Sequence, residues 1–174
     1  GWVRRREPMR QPANPPPPVG VLVVCTGNIC RSPAGERLLR HALPAAAIEA
    51  SSAGTYGVVG HPIEPSMARL LTADGVDASG FAARRLTERL VRDAELVLTM
   101  QAGHRSAVVQ THPQALGRTF TMREFAHLLD EGYRAHPAAY LQDSGTDPAA
   151  RVRALIGLAA DSRTRRLSPP CPEP

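Results

Sequence analysis

The 174-residue chain predicts a three-layer α/β sandwich on a central four-stranded parallel sheet. Two observations lead there. Short runs rich in β-branched residues alternate with segments of helical spacing, the pattern of right-handed crossovers that put helices on both faces of a parallel sheet. The first run, Val19 to Val24, is continuously apolar, as a strand buried on both faces must be.

The elements follow in order. After the strand Val19 to Val24, residues Arg31 to Leu43 carry Leu38 and Leu39 at helical spacing. Ile48 to Ser52 is a short second strand, and Pro65 to Ala73 a helix opened by proline. Thr87 to Asp93 is a short helix, Leu96 to Met100 a third strand and Ala102 to Gln110 a helix. Arg118 to Met122 is a fourth strand running into helical Arg123 to Leu129, and residues 149–162 form a last amphipathic helix through Val152, Leu155, Ile156 and Leu158.

Composition narrows the function classes. With 43% hydrophobic and 21% charged residues, the length suits one domain with a real core. No stretch approaches the run of about 18 apolar residues that a membrane span needs, and two neighbouring cysteines with a distant Cys171 are too few for a disulfide scaffold. The expected setting is cytoplasmic, with no membrane insertion. The formal charge of +5 invites a nucleic-acid reading. All 21 basic residues are arginines, however, and seven lie in the Pro/Arg-rich segments 1–18 and 163–174, leaving 14 arginines against 14 acids between them. Segments 1–18 and 163–174 are expected to be a disordered leader and tail around a domain at 19–162. No nucleic acid is expected as a partner.

The chemistry is concentrated in Cys25-Thr26-Gly27-Asn28-Ile29-Cys30-Arg31-Ser32-Pro33, between the first strand and the first helix. A cysteine followed by five residues and an arginine at such a turn makes a phosphate cradle. The N–H groups of residues 26–31 can wrap an anion where unpaired donors and the helix dipole favour negative charge. Gly27 and Asn28 suit left-handed turns, and Ser32 with Pro33 suits a helix opening, serine as a cap. The same field favours the nucleophilic thiolate of Cys25, and the Arg31 fork can grip two phosphoryl oxygens.

These residues, together with Ser52-Ala53-Gly54-Thr55-Tyr56, Gly60-His61-Pro62, Ala83-Arg84, Leu96-Val97-Leu98-Thr99-Met100 and Arg123-Glu124-Phe125, resemble the low-molecular-weight protein tyrosine phosphatases. The resemblance implies metal-free, cofactor-free hydrolysis of protein phosphotyrosine through a cysteinyl-phosphate. It makes Cys25 the nucleophile, Arg31 the phosphoryl clamp, Ser32 the donor to the thiolate and Asn28 the prop of the loop. Thr26, Gly27, Ile29 and Cys30 complete the substrate-binding loop, and Tyr56 either lines the cleft or packs. Cys30 matches a second loop cysteine that could form a disulfide with oxidised Cys25; its other reading is a small side chain filling the loop's underside. Gly60-His61-Pro62 is similar to the branch serving exopolysaccharide tyrosine kinases, which suggests such a kinase as partner.

The general acid is the weak point. The family carries it in an Asp-Pro pair, and the match here is Asp147-Pro148, followed by two alanines and a helix that Asp147 could simply cap. Two readings stand: Asp147 is the acid, or residues 131–162 are a helical insertion and the chain ends before the acid-bearing loop. Asp143 is a reserve. Arsenate reduction on the same fold, and a weakly active phosphotyrosine-binding module lacking its acid, are the alternatives. The reductase reading wants further cysteines, and none lies between Cys30 and Cys171. The six histidines show no ligand spacing, so no metal is expected. His104 reads as a packing or surface residue, and Arg84-Arg85 and Arg89/Arg92 as solvated faces.

Overall fold

The computed structural model describes residues 14–136, 142 and 144–167. Four strands, β1 (Val19–Cys25), β2 (Ile48–Gly54), β3 (Leu96–Thr99) and β4 (Thr119–Thr121), form one sheet in the order β2-β1-β3-β4. Every pairing is parallel, with Val19 opposite Ile48, Val21 opposite Leu96 and Val97 opposite Thr119. The connecting helices are α1 (Arg31–Ala42), α2 (Pro65–Ala73), α3 (Glu88–Asp93), α4 (Ala102–Thr111), α5 (Met122–Ala135) and α6 (Pro148–Leu167). A 3₁₀ turn at Pro113–Arg118, not expected from the sequence, precedes β4.

Period-two alternation in the strands builds two cores. Val19, Val21, Ile48, Ala50, Leu96 and Leu98 face one side with Phe120, Leu128 and the apolar stripe of α6, whereas Leu22, Val24, Ala53 and Val97 face the other with Val91 and Val108. A smaller cluster of Ala34, Ile63, Leu71 and Val76 seats α2 on the start of α1. Because the chain turns from β1 to β2 and then crosses back to β3, the order reverses at β1. The crevice at the carboxyl end of β1 is therefore the place where such a sheet binds ligands.

The helices after β4 differ most from expectation. Thr121 and Glu124 form a reciprocal capping box that starts α5, which continues to Ala135 rather than stopping near Leu129. The expected tail boundary at residue 163 is corrected: α6 runs on to Leu167. Arg163 explains the extension. Its guanidinium lies 3.6 Å above the Phe120 ring, pairs with Glu124 at 3.0 Å and donates to the carbonyl of Thr119, contacts that hold the last turns of α6 against the body. Arg166 pairs with Glu131 and Arg165 meets His136, so these arginines are partnered on a helix instead of adding free charge to a tail. The leader up to residue 13, Asp143 and Cys171 lie outside the described residues.

Candidate active site

The loop between β1 and α1 is shaped by where its carbonyls go. Those of Cys25, Thr26, Gly27 and Ile29 accept from the backbone N–H groups of Thr55, Tyr56, Val58 and Glu64, at 2.7 to 2.9 Å. All four acceptors thus face outward, toward the segment after β2. In a trans peptide the N–H points opposite to the C=O, so the N–H groups of Thr26, Gly27, Asn28 and Cys30 are turned into the loop's hollow. The result is a nest of donors at the start of α1.

One residue holds the shape. Asn28 has φ 56°, the sole left-handed non-glycine among the described residues, and is fully buried. Asparagine tolerates this region better than other residues with a side chain. Its Oδ1 accepts from the Arg84 backbone N–H at 2.9 Å, which leaves Nδ2 to donate to both Ser32 Oγ and Ser52 Oγ, each at 2.9 Å. Ser52 in turn donates to Glu36 Oε1 at 3.1 Å. The Asn28 and Ser52 bonds are thereby fixed in direction. Since Ser32 Oγ accepts from Asn28, its own proton is available to Cys25 Sγ, 2.9 Å away. Cys25 and Ser32 are both buried, so a thiolate here would take that proton with little competition from water.

The remaining predicted residues fall as follows. Arg31 is exposed as the first residue of α1, and Cys30 is its N-cap. Ser32 does not cap the helix, whose start carries no side-chain cap, but stands against Cys25 as the resemblance implied. Tyr56 is 75% exposed, which rules out the packing reading, while its backbone N–H anchors Thr26. Cys25 and Cys30 are both free thiols.

Asp147, the residue the family resemblance offers as general acid, sits at the start of α6. Its carboxylate caps α6, accepting from the Ala150 N–H at 2.8 Å, and lies within electrostatic reach of Arg153. Arg153 is tied to the Pro17 carbonyl and Glu95, just before β1 and β3. These contacts place the start of α6 at the amino edge of the sheet. Cys25 ends β1 at the carboxyl edge, about 20 Å away along a strand of this length.

Besides Ser52, three contributors were missed from sequence. Arg84, expected on a solvated face, supplies the N–H for Asn28 and its Nε donates to the Ser52 carbonyl at 2.8 Å. Glu36 terminates the network on the underside of the loop, with Arg37 at 3.0 Å. His104, expected to pack or face solvent, is buried with Nε2 2.8 Å from Thr26 Oγ1. Burial, then the nearby Arg31 charge, hold its imidazole below the ordinary 6.5. Arg89 and Arg92 are solvated as expected, sharing Asp93.

With this geometry in place, residues 20–156 match the family model "Low molecular weight phosphotyrosine protein phosphatase". The chain belongs to that family. It is 36% identical over 148 residues to the low-molecular-weight protein-tyrosine-phosphatase Etp of Escherichia coli K12, covering 85% of this chain and 94% of Etp. It is 37% identical over 121 residues to the probable phosphatase EpsP of Ralstonia solanacearum, covering 69% of this chain and 82% of EpsP. Among solved structures, the Erwinia amylovora tyrosine phosphatase amsI superposes with a TM-score of 0.58 at 30% identity, covering 86% of this chain and 93% of that one. The tyrosine phosphatase Wzb of Escherichia coli K30, crystallised with sulphate, gives 0.56 at 33% identity, covering 86% and 98%. The chain is a phosphatase that hydrolyses phosphotyrosine in proteins. None of the described helices is long and apolar enough to cross a membrane, and no group of three or more metal-ligating side chains is found among the described residues.

Proposed function

We propose that Cys25 carries this hydrolysis as the nucleophile, with Arg31 and the amides of residues 26–31 holding the phosphoryl group and Ser32 serving the sulfur. The Cys25–Ser32 contact of 2.9 Å, at the base of a loop whose amides face inward, is the observation that supports it best. In the first step the S–P bond forms as the bond from phosphorus to the tyrosine oxygen breaks, and the phenolate takes a proton. In the second, water attacks phosphorus and the S–P bond breaks. Ser32 stabilises the thiolate before the first step and as the leaving group of the second. The inward amides and Arg31 meet the charge that builds on the equatorial oxygens.

Rapid acid quench during turnover of an aryl phosphate, followed by peptide mass analysis, is expected to find one phosphoryl group on the peptide bearing Cys25. Turnover without that adduct would overturn the assignment.

Proton delivery to the leaving group is not assigned to Asp147. Asp147→Asn is therefore expected to leave kcat within about twofold of wild type, whereas a positioned acid contributes about 10²- to 10⁴-fold. The measurement compares phenyl and p-nitrophenyl phosphates. A loss confined to the poorer leaving group would restore Asp147 as the acid.

The physiological substrate we propose is a bacterial tyrosine kinase of the exopolysaccharide type, in the cytoplasm, on the resemblance of Gly60-His61-Pro62 to that branch. Exposed Tyr56 lines the rim where the phosphotyrosine ring would enter. Cys30 adds redox protection: peroxide converts the Cys25 thiolate to a sulfenic acid, and the Cys30 thiol condenses with it, its sulfur displacing the hydroxyl, which leaves as water with the thiol proton, to give a disulfide. Prolonged peroxide treatment is expected to inactivate wild type and Cys30→Ser alike, with thiol restoring most activity only in wild type, because without Cys30 the sulfenic acid goes on to the irreversible sulfinic and sulfonic acids. Equal recovery in both would remove this role.

A further inference from the structure

His104 is buried beside the loop, and the two-step hydrolysis makes no use of it. Its position comes from the fold. β3 lies next to β1, with the Met100 N–H on the Val24 carbonyl at 3.1 Å, so the first turn of α4 stands against the first residues after Cys25. The side chain is 5% exposed, and Nε2 lies 2.8 Å from Thr26 Oγ1. Its Nδ1 is buried with no hydrogen-bond partner among the described residues.

That orphaned nitrogen decides the tautomer. With the proton on Nδ1, a buried N–H would point at no acceptor. With the proton on Nε2, the buried Nδ1 is a bare lone pair and leaves no N–H without an acceptor. Nε2–H then donates to Thr26 Oγ1. A hydroxyl that accepts in this way keeps its own proton for another acceptor, and Thr26 is exposed at the mouth of the loop.

We infer that His104 is a positioning residue: as the neutral Nε2–H tautomer it donates to Thr26, and so presents the Thr26 hydroxyl proton to an oxygen of the phosphate ester in the loop. The inference rests on the loop being the phosphoryl site. It adds a side-chain donor to the backbone amides and to Arg31, and assigns it to the residue next to the nucleophile.

The test uses the full chain. In wild type, the imidazole nitrogen shifts of His104 by NMR are expected to report the Nε2–H tautomer, and Nδ1–H would overturn the inference. Thr26→Val and His104→Leu should each lower kcat/KM for an aryl phosphate about tenfold, the size of one hydrogen bond to a charged group. The double variant should fall no further, because each change breaks the same link. His104→Gln, whose amide nitrogen reaches the place of Nε2, should recover to within about threefold of wild type. His104→Asn, which reaches only the place of Nδ1, should stay low. Wild-type kcat/KM in Thr26→Val, additive losses in the double variant, or equal behaviour of Gln and Asn would each overturn it. Should His104→Leu fail to fold, the Thr26→Val and tautomer results decide. Absence of the Cys25 phosphoryl adduct in wild type would bring down the reading of the site and this inference together. Its presence alongside any of the contrary results would bring down this inference alone.

Discussion

Cys25→Ser is expected to lose about 10⁴-fold or more in kcat, while the folded chain still binds inorganic phosphate or vanadate. Serine keeps the shape of the side chain, and the anion site is made of other groups: the inward amides, which depend on carbonyl contacts to residues 55–64, and Arg31. What disappears is the sulfur nucleophile, because a serine hydroxyl is far less ionised than a thiol in the same place. Ser32 would then meet an oxygen instead of a sulfur at the loop's base. Isothermal titration with phosphate, beside turnover of p-nitrophenyl phosphate, separates the two effects. Residual turnover within a hundredfold of wild type would mean that phosphoryl transfer does not pass through Cys25.

The second large effect comes from a residue with no chemistry of its own. Gly54 ends β2 opposite Cys25, and a Cβ built there collides with the Thr26 carbonyl and comes within 2.9 Å of the Asn28 nitrogen. Both are backbone atoms, fixed by the network that holds the loop, so neither can swing aside as a flexible side chain would. Gly54→Ala is expected to cost about 3 kcal/mol in stability, at the upper end of overpacking penalties. It should also lower kcat about 10²-fold, since an ångström-scale displacement of positioning groups costs that much. Urea denaturation and aryl phosphate kinetics check the two numbers. Gly103→Ala, where a Cβ meets nothing within 4 Å, is the matched control and should change neither appreciably. Unaltered kinetics in Gly54→Ala would show that the loop tolerates a shift the packing forbids.

Much of the fold could be read directly. Continuous apolar strands and helical spacing located β1 to β3 and α1 to α4 to within a residue or two, because each pattern reports burial on a regular element. α5 and α6 were read too short. Their last turns are secured by contacts across the chain, Arg163 on Phe120 and Glu124 being the clearest, and no local pattern announces such a pairing. The same distinction separates Ser32 from the cap that local sequence suggests. Serine before proline suits a cap locally, yet the hydroxyl is taken by Cys25 and Asn28 once the loop closes.

By itself, the sequence determined the parallel α/β sheet and a phosphate cradle at the end of its first strand. The nine residues from Cys25 to Pro33 hold the proposed nucleophile, the left-handed asparagine, the arginine and the serine beside the sulfur, so their spacing alone constrains their geometry. Only the tertiary structure decided what surrounds them. Ser52, Glu36 and Arg84 fix the direction of the Asn28 hydrogen bonds, and His104 reaches Thr26 from 78 positions away. It also made Asp147 the cap of α6, a role that an Asp-Pro signature fits as well as it fits an acid. Which of the two an aspartate becomes depends on the edge of the sheet from which its helix starts, and the tie from Arg153 to Pro17 and Glu95 sets that edge through contacts a linear motif does not contain.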